Sequence, residues 1–185
     1  NLGLAQFRRL ERSWRKAGLW IVHIGLALLF VGEFAAALLQ VDSRMPIEVG
    51  QTRDWAEDYR QMELALIDGS DPAFDDVFAL PQSLLKTRRE ITPDSLPFKL
   101  LIHGWHDNAS LGMRADGDPP AAATAGIGMN ISLRPQPPVT ADDEQNSSVV
   151  FVEPVAKDGT SYGIFLVSNA LGAPQGFTHE GRRWR

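Results

Sequence analysis

Two ionisable residues, His23 and Glu33, lie inside a long apolar run near the start of the chain. A charged side chain in lipid costs about 2.5–3.5 kcal/mol on insertion scales, so such groups usually face protein, water or a cofactor. A neutral imidazole can ligate haem iron, which makes His23 a candidate cofactor ligand. The alternative is a histidine hydrogen-bonded to a neighbouring helix. Glu33 is interpreted as a protonated or paired structural carboxylate.

Three glycines in the same run, Gly18, Gly25 and Gly32, recur every seven residues and so lie along one stripe of a helix. Glycine allows a second helix to approach closely, and small-residue seams are a common way for helices to associate in lipid. His23 points about 160° away from Gly25 around the helix. The stripe therefore predicts helix packing against a membrane partner on a face that His23 does not use. Chance is the alternative, because glycine is common in membrane helices.

Few other residues of the sequence are candidates for catalysis or metal binding. The sequence HGWHD places His103, His106 and Asp107 close together, but strand residues three apart face opposite sides, so we interpret it as a polar strand end. His179 stands alone beside a predicted turn. No nucleophile motif, phosphate-binding loop or cysteine occurs, which excludes thiolate metal sites and disulfides for these residues. We therefore predict no catalytic residues, no metal site and no enzyme activity in this chain.

The element that would hold His23 and Glu33 is a transmembrane helix over residues 17–41. Its 25 residues would reach about 37 Å, enough to cross a hydrocarbon core of about 30 Å. The basic residues Arg8, Arg9, Arg12, Arg15 and Lys16 all precede it, which predicts a cytoplasmic basic segment over residues 1–16 and an extracytoplasmic remainder. A cleaved signal peptide is the alternative, but the apolar run is longer than a signal core of about 7–15 residues and contains an acid.

After the helix, the apolar residues alternate as they do in β-strands. Strands are predicted over residues 61–68, 96–103, 126–134, 148–154, 161–168 and 176–185, with turns at Asp158-Gly159 and Glu180-Gly181. Residues 107–125 and 135–147 are predicted to be loops, and short helical turns are expected near Trp55 and Ser83. The fold class is therefore a single transmembrane α-helix followed by an all-β extracytoplasmic domain over residues 42–185, an antiparallel sandwich or open barrel.

The charge of this domain excludes one class of partner. Residues 42–185 carry 13 basic and 21 acidic side chains, and the whole chain has a formal net charge of −5. A nucleic-acid-binding surface needs a clustered basic face, so no nucleic-acid partner is expected.

Four segments, taken in order, resemble the ResB-like cytochrome c biogenesis family. They are VHIGLALLFVGEF (22–34), IEVGQTRDW (47–55), SLPFKLLIHGWHDNASL (95–111) and YGIFLVSNALGAPQGFTHEGRRWR (162–185). The order and spacing of these segments carry the resemblance, which covers most of residues 17–185. The family's outer domain continues past the Gly-Arg-Arg-Trp segment, so the resemblance also implies a β domain that is incomplete at its C-terminus.

The resemblance implies a membrane component of cytochrome c maturation that handles haem and presents apocytochrome c for haem attachment. It implies a ResC/CcsA-type membrane partner, and a location in the cell membrane (inner or plasma). The family's membrane histidine is thought to help hold haem in the bilayer, and His23 is the matching position. The alternative function is a single-span envelope scaffold or binding module unrelated to haem.

Overall fold

The computed structural model describes residue 14 and residues 17–40, 43–54, 56–58, 60–139 and 144–185. It divides the chain into two compact units, Asn1–Ser43 and Arg44–Arg185. Apart from Trp14, the basic segment predicted over residues 1–16 lies outside the described residues. So do Val41, the last residue of the predicted span, and Trp55; the described residues beside Trp55, 51–54 and 56–58, contain no helical turn of the kind predicted there.

The first unit contains one long helix, α1, from Ala17 to Leu39. Leucine and alanine favour the helix, and no proline interrupts it. Its 23 residues reach about 35 Å, and none of them is buried. Large apolar side chains such as Ile21 and Leu39 are 70% and 79% exposed. By length and composition α1 could cross a membrane, although a signal sequence can share these properties.

The second unit consists mostly of short strands. The strands are β1 (Ser43–Arg44), β2 (Glu57–Asp58), β3 (Glu63–Asp68), β4 (Asp76–Pro81), β5 (Glu90–Ile91), β6 (Phe98–His106), β7 (Ala109–Met113), β8 (Ile131–Pro135), β9 (Val149–Ala156), β10 (Phe165–Ser168), β11 (Phe177–His179) and β12 (Arg182–Trp184). A short helix, α2 (Gln82–Thr87), confirms the helical turn predicted near Ser83, and a 3₁₀ helix spans Ile127–Asn130.

Strands β3 to β12 form three antiparallel sheets. One has the order β10-β9-β6-β5, a second has the order β11-β12-β3-β4, and β7 pairs with β8 alone. In the part of the chain that the structure describes, no sheet closes into a barrel. The fold is therefore an apolar N-terminal helix followed by a domain of antiparallel sheets, as predicted.

The two four-stranded sheets enclose the main core. Leu64, Leu66 and Trp184 come from one sheet, and Phe98 and Leu100 come from the other. Burial of these apolar side chains contributes roughly 25 cal/mol for each Å² removed from water. The packing of two open sheets over one core is that of a sandwich.

Strand β9 is buried on both of its faces. Val150 and Val152 belong to the main core, whereas Val149 and Phe151 face a second cluster beneath β7 and β8. A strand covered on both faces needs a continuous apolar run rather than strict alternation, which explains the sequence VVFV.

Several predicted strands and turns are confirmed. Alternation in β3 and β6 places Leu64, Leu66, Phe98, Leu100 and Ile102 in the core. The turn at Asp158-Gly159 closes on a hydrogen bond from the Gly159 amide to the Ala156 carbonyl. The strands β11 and β12 meet at Glu180-Gly181, where φ is 49° and 79°. Positive φ at both central residues is the requirement of a type I′ hairpin turn.

The strand predicted over residues 126–134 is wrong in its first half. Ile127 and Met129 lie in the 3₁₀ helix and are 45% and 49% exposed, and only β8 continues the prediction. The reason is the close approach of Gly128 to β10. A Cβ atom built on Gly128 would lie 2.6 Å from the Leu166 Cβ and 2.8 Å from the Ala123 Cβ. Packing against a distant strand overrides the local alternation.

Other strand boundaries also differ from the predictions. The strand predicted over 161–168 is reduced to β10, because Ile164 donates to the Thr124 hydroxyl rather than to a ladder. The loop predicted over 107–125 contains β7, and β4 and β5 were not predicted. Each of β4, β5 and β7 is largely exposed or very short, so its sequence carries little apolar pattern.

One side chain holds both ends of the connection between β8 and β9. The amide of Asn108 donates to the Pro137 carbonyl at 2.9 Å, and its side-chain oxygen accepts from the Ser147 backbone N–H at 3.0 Å. Farther along the connection, Asn146 bonds the backbone of Val139 in both directions. Residues 107–109 thus act as a clasp, which we call the Asn108 clasp.

Candidate functional site

His23 lies on α1 with one ring nitrogen bonded to the helix itself. Its Nδ1 is 2.8 Å from the Leu19 carbonyl oxygen, one turn earlier. A carbonyl can only accept, so Nδ1 carries the proton, and in a neutral ring Nε2 carries the lone pair. A histidine that ligates a metal usually donates its other ring N–H in this way. The tautomer of His23 is therefore the one with its proton on Nδ1, and coordination through Nε2 would require this tautomer.

The predicted helix-packing glycines lie along α1 with open space around them. Apart from the chain neighbours and the nearby backbone of α1 itself, a Cβ built on Gly18, Gly25 or Gly32 would meet no atom of the described residues within 4 Å. No packing within the described residues therefore accounts for glycine at these positions. Glu33 is on the exposed surface of the same helix. The structure brings these four residues onto one helix but does not test what they contact.

The HGWHD segment is divided among separate contacts. His103 sits at a bulge in β6 and bonds Glu153 on β9, while the His106 ring packs edge-on against Phe151. Asp107 accepts from Trp105 Nε1 and pairs with Lys86. Over the described residues, no group of three or more potential ligands is arranged around one metal position.

Glu153 on β9 connects the bulge in β6 to Ser161, which precedes β10. It accepts hydrogen bonds from the Ser161 hydroxyl and from His103, both at 2.5 Å. These two bonds, in that order, hold the pKa of Glu153 below its usual value, although partial burial opposes the shift. The Ser161 hydroxyl donates its hydrogen to the Glu153 carboxylate, and His103 bonds the other oxygen of that carboxylate rather than the serine. We therefore interpret the three residues as a structural network rather than as a nucleophile with its activating base.

The sequence reading missed a polar crevice at one end of the sandwich. His179 is only 5% exposed, and its Nδ1 lies 2.5 Å from the Tyr162 hydroxyl. Its ring packs edge-on against Phe98, with centroids 5.7 Å apart. The crevice has a volume of about 320 Å³, and strand residues of the β11-β12-β3-β4 sheet line it together with residues of three connections, 94–97, Lys157 and Glu180. No sequence signal relates Tyr162 to His179, because only the folded sheets bring them together.

Asp68, at the end of β3, is buried at the base of this crevice with 5% exposure. It accepts from the Ser70 hydroxyl at 2.5 Å, from the Ser70 amide at 3.0 Å and from Arg182 Nη1 at 3.1 Å. The Ser70 hydroxyl bond lowers the pKa of Asp68 most, and the Ser70 amide and the Arg182 guanidinium lower it further against the opposing effect of burial. The charged carboxylate is therefore the form that the fold favours.

This pKa shift predicts a pH dependence of stability. The folded pKa of Asp68 is below the unfolded value of about 3.9, so its contribution is present above that pH and is lost as the pH falls through the folded pKa. We expect Asp68→Asn to lower the free energy of unfolding at pH 7 by on the order of 1–3 kcal/mol. The gap between wild type and variant should shrink below about pH 4. Urea unfolding at both pH values measures it, with the exposed Asp116→Asn as control; a gap independent of pH would contradict the prediction.

The two sheets also leave an apolar cleft between them, with a volume of about 380 Å³. Side chains of β3 and of the β9–β10 pair line it, among them Leu64, Leu66, Val152 and Phe165. One polar side chain at its wall, Gln175, is bonded to the Leu166 carbonyl. The cleft can hold an apolar group, but none of its contacts selects one.

Comparison with known proteins returns no relative. No protein-family model, no curated protein and no solved structure matches this chain.

Proposed function

We propose that this chain is a membrane component of cytochrome c maturation, which helps to handle haem and presents apocytochrome c for haem attachment. Support comes from the ordered resemblance to the ResB-like family and from an apolar helix that carries one histidine. Haem attachment belongs to the assembled complex, and the chain itself has no catalytic role.

The observation that carries the proposal is the hydrogen bond from His23 Nδ1 to the Leu19 carbonyl. It keeps the proton on Nδ1 and orients the ring, so that Nε2 would be the atom that binds the haem iron. In this proposal, haem is the cargo that the complex delivers to apocytochrome c. The apolar neighbours of His23 on α1 would exclude water from that ligand.

A second membrane protein is part of the proposal. The helix α1 carries one histidine, so in this proposal a ResC/CcsA-type partner would supply any further haem ligand. The stripe of Gly18, Gly25 and Gly32 points away from His23 and leaves room for a close helix. The partner and a sister helix could thus approach α1 from different sides.

Orientation follows from the charges that flank α1. In the proposed arrangement, basic residues 8–16 stay in the cytoplasm, α1 crosses the inner or plasma membrane, and the acidic β domain faces outward. There the β domain would hold unfolded apocytochrome near the delivered haem. Strands at the ends of the two larger sheets offer backbone groups for an extended chain. The absence of cysteine in these residues avoids competition for the thiols of the substrate.

The visible spectrum of the purified complex tests the proposal. The full-length protein would be purified from its own membranes in mild detergent, together with its partners, and stained for haem after gel electrophoresis. A Soret band that persists through purification is expected. If the partners are present and no Soret band is seen, the function fails, and a single-span scaffold or binding module unrelated to haem takes its place.

A further inference from the structure

One edge of β3 is unpaired over most of its length, although β3 lies inside its sheet. On one side, β4 pairs with all six residues of β3. On the other side, β12 reaches only the C-terminal end of β3, where Ile67 exchanges two backbone hydrogen bonds with Arg185. Within the described residues, no strand continues this pairing along residues 63–66. The sheet therefore has a gap beside β3, beyond the end of β12.

The backbone groups of β3 point into this gap at every second residue. In an antiparallel pair, alternate residues direct their N–H and C=O groups to opposite sides of the strand. Ile67 bonds toward β12, whereas the Met62 carbonyl accepts from the Gln82 amide on the β4 side, at 2.9 Å. Ala65 and Glu63 therefore direct both backbone groups into the gap, where the described residues supply no partner. Such a row of unpaired groups is a template for a further strand.

The apolar cleft between the two sheets opens at the same gap. Residues 62–67 line its volume of about 380 Å³, together with side chains of β9 and β10. Several apolar side chains at its wall are only half-buried: Trp105, Val167, Leu171 and Phe177. The side chains of the cleft select no particular apolar molecule, but the backbone groups beside them select a polypeptide. A strand in the gap would pair these groups and cover the apolar surface at once.

The register of β12 fixes the sequence pattern that the gap would accept. A strand in line with β12 runs antiparallel to β3, and residues directly opposite each other have side chains on the same face. The residues opposite Leu64 and Leu66, which are buried, would point into the cleft and would be apolar. The residue opposite Glu63, which is exposed, would lie on the outer face, where a lysine or arginine is favoured. The pattern is an extended segment with alternate apolar residues and a basic residue between two of them.

We propose that the gap beside β3 and its apolar cleft accept an extended segment of a partner protein, which adds a strand in line with β12 and places alternate apolar side chains in the cleft. For the identity of the partner, the inference rests on the proposed presentation of apocytochrome c, and it names where and by what chemistry that polypeptide would be held. The pairing itself does not require haem at His23.

Hydrogen exchange of the Ala65 amide tests the proposal. The full chain in phosphatidylcholine nanodiscs would be titrated with a heptapeptide that has valine at alternate positions and threonine or lysine between them. Binding should slow exchange of the Ala65 N–H at least about tenfold and leave that of the Ala79 N–H, on the outer edge of β4, unchanged. No slowing at Ala65 would contradict the proposal. An Ala65 amide that is protected before peptide is added would overturn it, because a second copy or another part of the protein would then fill the gap.

Two N-methylated forms of the peptide test the ladder. Methyl groups on the threonine and lysine nitrogens should weaken binding at least about tenfold, because these N–H groups would donate to the carbonyls of Ala65 and Glu63. Methyl groups on the valine nitrogens point away from β3 and should leave binding within about threefold. Equal binding of the two forms would show only apolar adhesion to the cleft and would overturn the proposal.

A matched pair of proline variants locates the edge. Ala65 and Ala79 are both exposed and lie opposite each other in the β3–β4 pair, with each N–H directed away from the other strand. Ala65→Pro removes the donor at the gap and should weaken peptide binding at least about tenfold. Ala79→Pro removes a donor at the outer edge of the sheet and should leave binding within about twofold. Equal effects of the two variants would contradict the site, whereas loss of the Soret band bears on the haem function alone.

Discussion

Replacing His23 with alanine should abolish the Soret band of the purified complex while leaving the assembly of the complex unchanged. Alanine keeps the helix but removes the only imidazole on α1, so the iron would lose the ligand that this chain supplies. The loss of the band should be at least tenfold. Visible spectra at equal protein concentration and a haem stain measure it.

Two controls separate ligation from general damage to the helix. Val22→Ala changes the neighbouring exposed side chain and should retain the band. Free imidazole added to the His23→Ala complex should restore part of the band, because a small ligand can occupy the vacated position at the iron. Retention of a full Soret band by His23→Ala would refute the ligand role.

Replacing Phe98 with alanine should remove a large part of the free energy of unfolding of the β domain. Phe98 is 1% exposed and touches aromatic rings of the opposite sheet: Trp184 at a centroid distance of 4.9 Å, Phe177 at 5.1 Å and His179 at 5.7 Å. Loss of a buried phenylalanine side chain costs about 3–5 kcal/mol, because the cavity only partly collapses. A domain of this size is stable by about 5–15 kcal/mol in total.

The comparison for this variant is Phe74→Ala, which removes the same side chain from a position that is 59% exposed. Urea unfolding followed by tryptophan fluorescence should give a change within about 0.5 kcal/mol for that control. If the two variants unfold at similar urea concentrations, Phe98 is not at the centre of the core and the packing of the two sheets would have to be revised.

The parts of the fold that could be predicted are those governed by local pattern. Alternation marks β3 and β6 because each has one buried face, and Gly181 marks a turn because glycine adopts positive φ without strain. Prediction failed where contacts with residues distant in the sequence determine the local structure. Gly128 leaves the strand pattern because β10 approaches it closely, and β4 is an edge strand whose exposed side chains give no alternation.

The candidate sites differ in the same respect, since one could be recognised from the local sequence and the other could not. His23 is a single histidine in an apolar run, so it could be selected from the sequence, and its proposed haem role draws on the resemblance as well as on the bond from its Nδ1 to Leu19. The crevice could not be found, since the bond between Asp68 and Arg182 joins residues 114 positions apart. Charge and aromatic content of residues 176–185 gave no indication that His179 and Trp184 would be buried beside carboxylates.

The Asn108 clasp fixes the two ends of the β8–β9 connection next to each other, close to the strands that it joins. Because one side chain ties residues 137 and 147, changes beyond the tie need not disturb the register of either strand. Gln145 is exposed there, and the 185 residues contain no cysteine. A thiol introduced at Gln145 would be unique among them, so a maleimide that does not cross bilayers could report on which side of the cell envelope the domain resides.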